Sequence, residues 1–224
     1  MVLNLLWKWW SARNAVNAGE KLLANSEIIY AVRQLTEEWK RKNEPSSVTV
    51  ASRRHRWTPP PQDFLKINVD GAFNHATKLG AWGFVVRDAA GEAVLAGAGK
   101  AANIYDALMA EITACWTAID AAASVGISKL QIEIDSLLLQ RGVLTDEMDQ
   151  ARAGVIFQDI RRVIRDHFLC FECLHVPRLC NSTAHEIDAL GMCWDVGMSE
   201  VWEYPVPNFV QNLVARDLVE LSVN

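Results

Sequence analysis

Residues 64–74 read FLKINVDGAFN, and residues 128–136 read SKLQIEIDS. In the first stretch Leu65, Ile67 and Val69 alternate with Lys66, Asn68 and Asp70. In the second, Leu130, Ile132 and Ile134 alternate with Gln131, Glu133 and Asp135. A period of two is the pattern of a β-strand, whose side chains point to opposite faces in turn. Each predicted strand therefore ends on an aspartate of the same phase. Between them, residues 105–125 carry helical periodicity, with Gly126 just past the end. Leu108, Ile112, Cys115 and Ile119 make one apolar stripe of that helix. Ala107, Glu111, Ala114 and Ala118 make a second stripe, of small residues around one carboxylate. Such a stripe permits close approach to a sheet.

A helix between two strands permits a parallel crossover. If the two strands are parallel neighbours, Asp70 and Asp135 emerge at the same sheet end, within reach of Glu111. Three converging carboxylates repel one another and are tolerated mainly around a cation. Oxygen ligands without sulfur suit Mg2+ or Mn2+.

Working outward, GAWGFVVRDAAGEAVLAGAGK predicts two strands, about 81–87 and 92–99, joined by a turn at Asp88–Gly91. With the first strand they form an antiparallel meander. Beyond the second aspartate come a short helix near 136–143, a helix over 155–168, and a strand in FECLHVP. A last helix lies in NSTAHEIDALGMCW, with Asn181 or Ser182 as its cap. The order β-β-β-α-β-α-α-β-α predicts an α/β fold, with a five-stranded mixed sheet flanked by helices. Residues 3–44 predict two helices, and Pro59-Pro60-Pro61 marks a linker. The expected organisation is a basic helical leader over 1–56, a central domain over 57–194 and a C-terminal extension over 195–224.

The chain has 224 residues, half of them hydrophobic and 22% charged, which is a globular composition. The net charge of −5 hides an asymmetry. Residues 1–56 carry +5, residues 57–194 carry −6 and residues 195–224 carry −4. A basic leader hints at a polyanion partner, and an acidic body then needs cations to tolerate phosphate. No apolar run is long enough for a membrane span, since Lys8 interrupts LLWKWW, and no signal peptide is read. Five cysteines without a framework fit a reducing, intracellular setting, nucleus or cytoplasm. Cys170 and Cys173 fall on opposite faces of a predicted strand, which argues against a zinc knuckle. The tryptophans at 7, 9, 10 and 39 are read as helix packing rather than base stacking.

Four blocks, INVDGAFN, ALMAEITACWTAI, QIEIDS and VPRLCNSTAHEIDALG, occur in that order. Together they resemble the ribonuclease H fold over about residues 64–194. They are most similar to the plant retroelement-type domain at the end of non-LTR reverse transcriptases. WKWWSARN and WEYPVPNFVQNLVARD resemble the flanking segments of such elements. The resemblance implies that Asp70, Glu111 and Asp135 bind metal. It implies that His185, in an N-x-x-A-H pattern, fills the place of a fourth acid. It further implies hydrolysis of the RNA strand of RNA–DNA hybrids with two Mg2+ or Mn2+ ions, which would activate water and stabilise the leaving oxygen. Gly71, Asn74, Lys78, Arg178 and Asn181 become candidates for contacts to the hybrid, in a monomer. The chain departs from the pattern at Ile187-Asp188, where Leu-Ala is usual. Asp188 lies three residues beyond His185 on nearly the same helix face. It reads as an extra ligand, a partner for His185, or surface charge left by drift, and the last is the preferred reading. The alternative function is a decayed, retroelement-derived domain that binds nucleic acid or protein without cleaving.

Overall fold

A computed structural model describes residues 56–222 of the chain. The two helices expected over residues 3–44 lie outside the described residues. Strand β1 spans Leu65–Asn74, β2 Leu79–Arg87 and β3 Ala93–Ala101. Helix α1 follows over Ala107–Ser124, then β4 over Lys129–Ile134, α2 over Leu137–Leu144 and α3 over Gly154–His167. Strand β5 spans Cys170–His175, helix α4 Ser182–Met192, β6 Ser199–Glu203 and α5 Asn208–Ser222.

The sheet is mixed and has six strands, in the order β5-β4-β1-β2-β3-β6. β1, β2 and β3 form the antiparallel meander. β4 lies parallel to β1, and β5 parallel to β4. The expectation of five strands is corrected here. Residues 199–203 pair antiparallel with β3 and add a sixth strand at that edge. The C-terminal residues are thus part of the sheet and its packing. Helix α5 supplies Val210 and Val214 to a core shared with Val85, Ala96, Ala98 and Ile187.

The register shows how the two faces are covered. Residues 67, 69 and 71 of β1 share a face with their partners Val86, Phe84 and Trp82. A Cβ on Gly71 would fall well under 3.0 Å from the backbone of Ala110 and Glu111, so α1 lies directly on that face. Asp70 pairs with Gly83 and belongs to the opposite face. A Cβ on Gly83 would collide with the backbone of α4 at Ala184, Ile187 and Asp188. Two glycines, adjacent in the ladder and on opposite faces, thus seat two helices against the same end of β1 and β2.

The α4 face is polar at its β1–β4 side, yet closed to solvent. Lys66, Asn68, Arg87 and Glu133 are all buried. Buried charges are expensive unless paired and hydrogen-bonded, and these are. Lys66 Nζ donates to Glu133 Oε1 at 2.6 Å and to the Thr58 carbonyl at 2.7 Å. Asn68 donates to Glu133 Oε2 at 3.0 Å and accepts from Arg87 Nη2 at 2.7 Å. Arg87 Nη1 donates to Asp217 of α5 at 2.8 Å, and the guanidinium stacks on Trp57, 3.6 Å from the ring centroid. Asp217 also accepts from Ser182 Oγ at 3.1 Å and Thr183 Oγ1 at 2.8 Å. The first-turn hydroxyls of α4 therefore donate to α5. The expected cap is absent, since Asn181 makes no capping bond and donates to the Val69 carbonyl at 2.7 Å.

Asp217→Ala leaves Arg87 buried without its carboxylate, and removing one partner of a buried pair costs about 3 kcal/mol or more. A urea titration should show the corresponding fall in midpoint. Gly83→Ala places a methyl inside the backbone of α4, and overpacking of this kind costs about 1–3 kcal/mol. The thermal midpoint of that variant should drop accordingly.

Candidate active site

β1 ends its buried run at Asp70, and Asp135 directly follows β4 on the parallel neighbour. Glu111 stands in the first half of α1, where Gly71 admits the helix backbone. His185 and Asp188 occupy successive turns of α4, where Gly83 admits that helix. All five residues serve one end of the sheet.

Two kinds of closeness are present. The tight group is Asp70, His185 and Asp188, whose potential ligand atoms all lie within 4.8 Å of one another. His185 Nδ1 is 2.9 Å from Asp70 Oδ2 and 3.6 Å from Asp188 Oδ1. Glu111 and Asp135 stand outside that group but are coupled to it by charge. Burial pushes the Glu111 carboxyl up to about 8; a hydrogen bond from Ser136 opposes the shift, and the charges of Asp135 and Asp70 add to it. Asp135 is raised by burial and then by Asp70, with Arg178 and His175 opposing. Asp188 is pushed up to about 8, first by burial, then by Asp70 and Asp135, against the pull of Arg178.

These shifts describe carboxyls that lack what an ionised carboxylate needs. Both oxygens of Asp188 and Oε2 of Glu111 are buried without a hydrogen-bond partner. Orphaned buried acceptors aimed among like charges are what a divalent cation satisfies. The donor set of three to four carboxylates and one imidazole fits such an ion.

Asp188 corrects the sequence reading most sharply. It is not surface charge: it is 1% exposed and faces Asp70 and His185. Sequence carried one signal for it, the i,i+3 spacing from His185. Ser136 was missed; its hydroxyl caps Leu139 of α2 as well as holding Glu111. His175 was missed too, with Nε2 3.2 Å from the Asp135 carbonyl oxygen.

The expected hybrid contacts divide. Arg178 is exposed beside the site, with Nη2 3.5 Å from His185 Nδ1. Lys78 has φ 56°, and its ammonium lies over the Phe73 ring at 5.5 Å. Asn74 shapes that turn by accepting from the Ala76 and Thr77 amides. Gly71 lies beneath α1, and Asn181 is buried with its amide committed to Val69. Neither of the last two presents a side chain to solvent. Among the described residues, no helix is long and apolar enough to cross a membrane.

The sequence profile of the reverse transcriptase-like family matches residues 68–190, more than half of the chain and all five site residues. The chain belongs to the reverse transcriptase-like family. Its fold is that of solved ribonucleases H1. Ribonuclease H1 from the halophilic archaeon Halobacterium salinarum NRC-1 is 23% identical with a TM-score of 0.50, over 58% of this chain and 97% of that one. LC11-RNase H1, isolated from compost by a metagenomic approach, is 17% identical with a TM-score of 0.52, over 58% and 96%. The same enzyme in complex with an RNA/DNA hybrid is 18% identical with a TM-score of 0.52, over 56% and 94%. No curated protein matches the chain. At these identities the likeness shows a ribonuclease H-like fold for this family member.

The Asp188 carboxyl binds its proton more tightly in the folded chain than its ordinary value of 3.8 allows. Its contribution to stability is therefore complete below that value and is lost as pH rises towards about 8. Without divalent ions, the thermal midpoint should fall over that window. Asp188→Asn should lessen the fall and leave the part that Glu111 contributes over the same window, as measured by melting across a pH series.

Proposed function

We propose that this domain is a metal-dependent endoribonuclease that hydrolyses the RNA strand of RNA–DNA hybrids. The observation that carries the reading is the gathering of Asp70, Glu111, Asp135, His185 and Asp188 at one sheet end, with orphaned carboxylate oxygens among them. Unrelieved repulsion of this kind makes structural sense around cations. Asp70, Glu111 and Asp135 would hold Mg2+ or Mn2+, with His185 in the fourth place, and two ions would be present with substrate bound. When bound, such ions supply an activated water and stabilise the leaving 3′ oxygen.

The chain's own residues do the rest. Asp70 orients the His185 imidazole through their 2.9 Å contact, and His185, half exposed, can pass a proton to solvent. Arg178 offers its fork to a phosphate, and Lys78 and Asn74 offer a polar turn to the backbone of a duplex. A hybrid is the favoured substrate because the shared fold includes an enzyme solved with an RNA/DNA hybrid. The N-x-x-A-H pattern ending at His185 supports a retroelement-type origin, of the plant class. We read residues 1–56 as a basic leader that adds non-specific affinity, residues 57–194 as the nuclease domain, and 195–224 as its C-terminal extension. The five cysteines are free thiols, which suits an intracellular monomer.

The test is cleavage of a labelled RNA–DNA hybrid by the purified chain with Mg2+ or Mn2+, beside Asp70→Asn and a chelated control. Cleavage that needs the metal and disappears in Asp70→Asn is expected. Hybrid binding without any such cleavage would instead make this a binding domain.

A further inference from the structure

Asp188 counts in the cluster but has no ligand role in the reading above, yet it is the least exposed acid of the cluster, and neither of its oxygens has a hydrogen-bond partner. It cannot be a silent replacement of an apolar residue. An ionisable carboxyl buried against the sheet with neither oxygen hydrogen-bonded is costly, and Gly83 gives up its side chain to let the backbone at Asp188 reach that spot. Asp188 therefore faces the gap shared by Asp70 and His185.

Both measured separations from His185 fall within the range of a coordination shell. An octahedral divalent ion with bonds of about 2.1 Å separates adjacent ligands by about 3 Å and opposite ligands by about 4.2 Å. His185 Nδ1 lies 2.9 Å from Asp70 Oδ2 and 3.6 Å from Asp188 Oδ1, and the whole group closes within 4.8 Å. One face is open, because the His185 side chain is 46% exposed, so an ion can enter and keep waters. The set is also chemically distinct from a cage of acids. Two carboxylates and one imidazole include a nitrogen donor, which favours first-row transition ions over magnesium.

We propose that Asp188 is a metal ligand, and that Asp70, His185 and Asp188 form a nitrogen-containing site that takes a divalent transition ion in preference to Mg2+. The inference deepens the metal-dependent reading and shares Asp70 with it. It differs in the ligands and in the ion. Mn2+ is the weakest binder of the transition series, so a preference measured with Mn2+ is a lower bound.

The probe is Mn2+ alone, titrated into the full-length, metal-free protein and followed by the loss of the free-ion electron paramagnetic resonance signal, with Mg2+ as competitor. At least one Mn2+ should bind with about tenfold or greater preference over Mg2+. Asp188→Asn should weaken that site at least tenfold while melting cooperatively, and Glu111→Gln should leave it in place. His185→Asp keeps a carboxylate ligand, and should keep binding but lose most of the preference for Mn2+. Nitrogen modulation in the pulsed spectrum of the bound ion should be present in wild type and absent in His185→Asp. Mn2+ affinity unchanged in Asp188→Asn, or equal affinity for the two ions in wild type, overturns the proposal. Hybrid cleavage is scored separately. Cleavage with Asp188-independent metal binding refutes this inference alone, and selective Mn2+ binding without cleavage refutes the ribonuclease reading alone.

Discussion

Two helices approach opposite faces of one strand pair more closely than side chains allow, and the arrangement of the site depends on it. Gly71 makes room for α1 at Glu111, and Gly83 makes room for α4 at Asp188. Asp70 stands next to Gly71 in the chain and opposite Gly83 in the ladder. One acid is thus fixed between two helices that each deliver another. With ordinary side chains at both positions the helices would ride further out, and the acids would part. The cost is the greater backbone freedom of glycine in a strand, about 0.5–1 kcal/mol at each position.

The acids oppose this convergence. Glu111, Asp135 and Asp188 are all raised, first by burial and also by the charge of Asp70, with Asp135 adding to the shifts of Glu111 and Asp188, so the site stores unfavourable electrostatics in the folded chain. That strain is held by structure on either side. On the α1 face it is an apolar core, with Ile67, Val69, Phe84, Ile112 and Ile132 closed to solvent. On the α4 face it is the charged chain from Lys66 through Glu133, Asn68 and Arg87 to Asp217. That chain fixes the first turn of α4 through Ser182 and Thr183. Both supports end within a few residues of the site.

Much of the frame was legible because it rests on local periodicity. The alternation in LKINVD and LQIEID predicts β1 and β4, and the small stripe around Glu111 predicts a helix lying close on a sheet. Those patterns put Asp70 and Asp135 at one sheet end, within reach of Glu111, on the condition that β1 and β4 are parallel neighbours, which they are. What was not legible rests on tertiary cover. Lys66, Asn68 and Glu133 read as the polar face of a half-exposed strand, because alternation reports a face but not what covers it. Trp57, α4 and α5 cover it, and the polar residues become a buried network. Asp188 failed for the same reason, since one charged residue on a helix is ordinarily solvated. Residues 199–203 are too short and mixed to announce a strand, and they become one by pairing with the free edge of β3.

The segment beyond the family match is consequential for the site. The match ends at residue 190, whereas Asp217 lies on α5. Arg87, however, sits inside the match and is fully buried, and burial acts against its charge while Asp217 supports it. Arg87 and Asp217 are therefore meaningful only as a pair. A chain ending soon after α4 would leave the Arg87 guanidinium without a carboxylate, held by Asn68 and the Trp57 ring, and the hydroxyls of Ser182 and Thr183 without Asp217 as acceptor. Since those hydroxyls lie just before His185 on the same helix, α5 bears on the placement of the imidazole and of Asp188 without touching either. In this family member the packed unit extends through α5, and the stability of the site is set partly by residues beyond the family match.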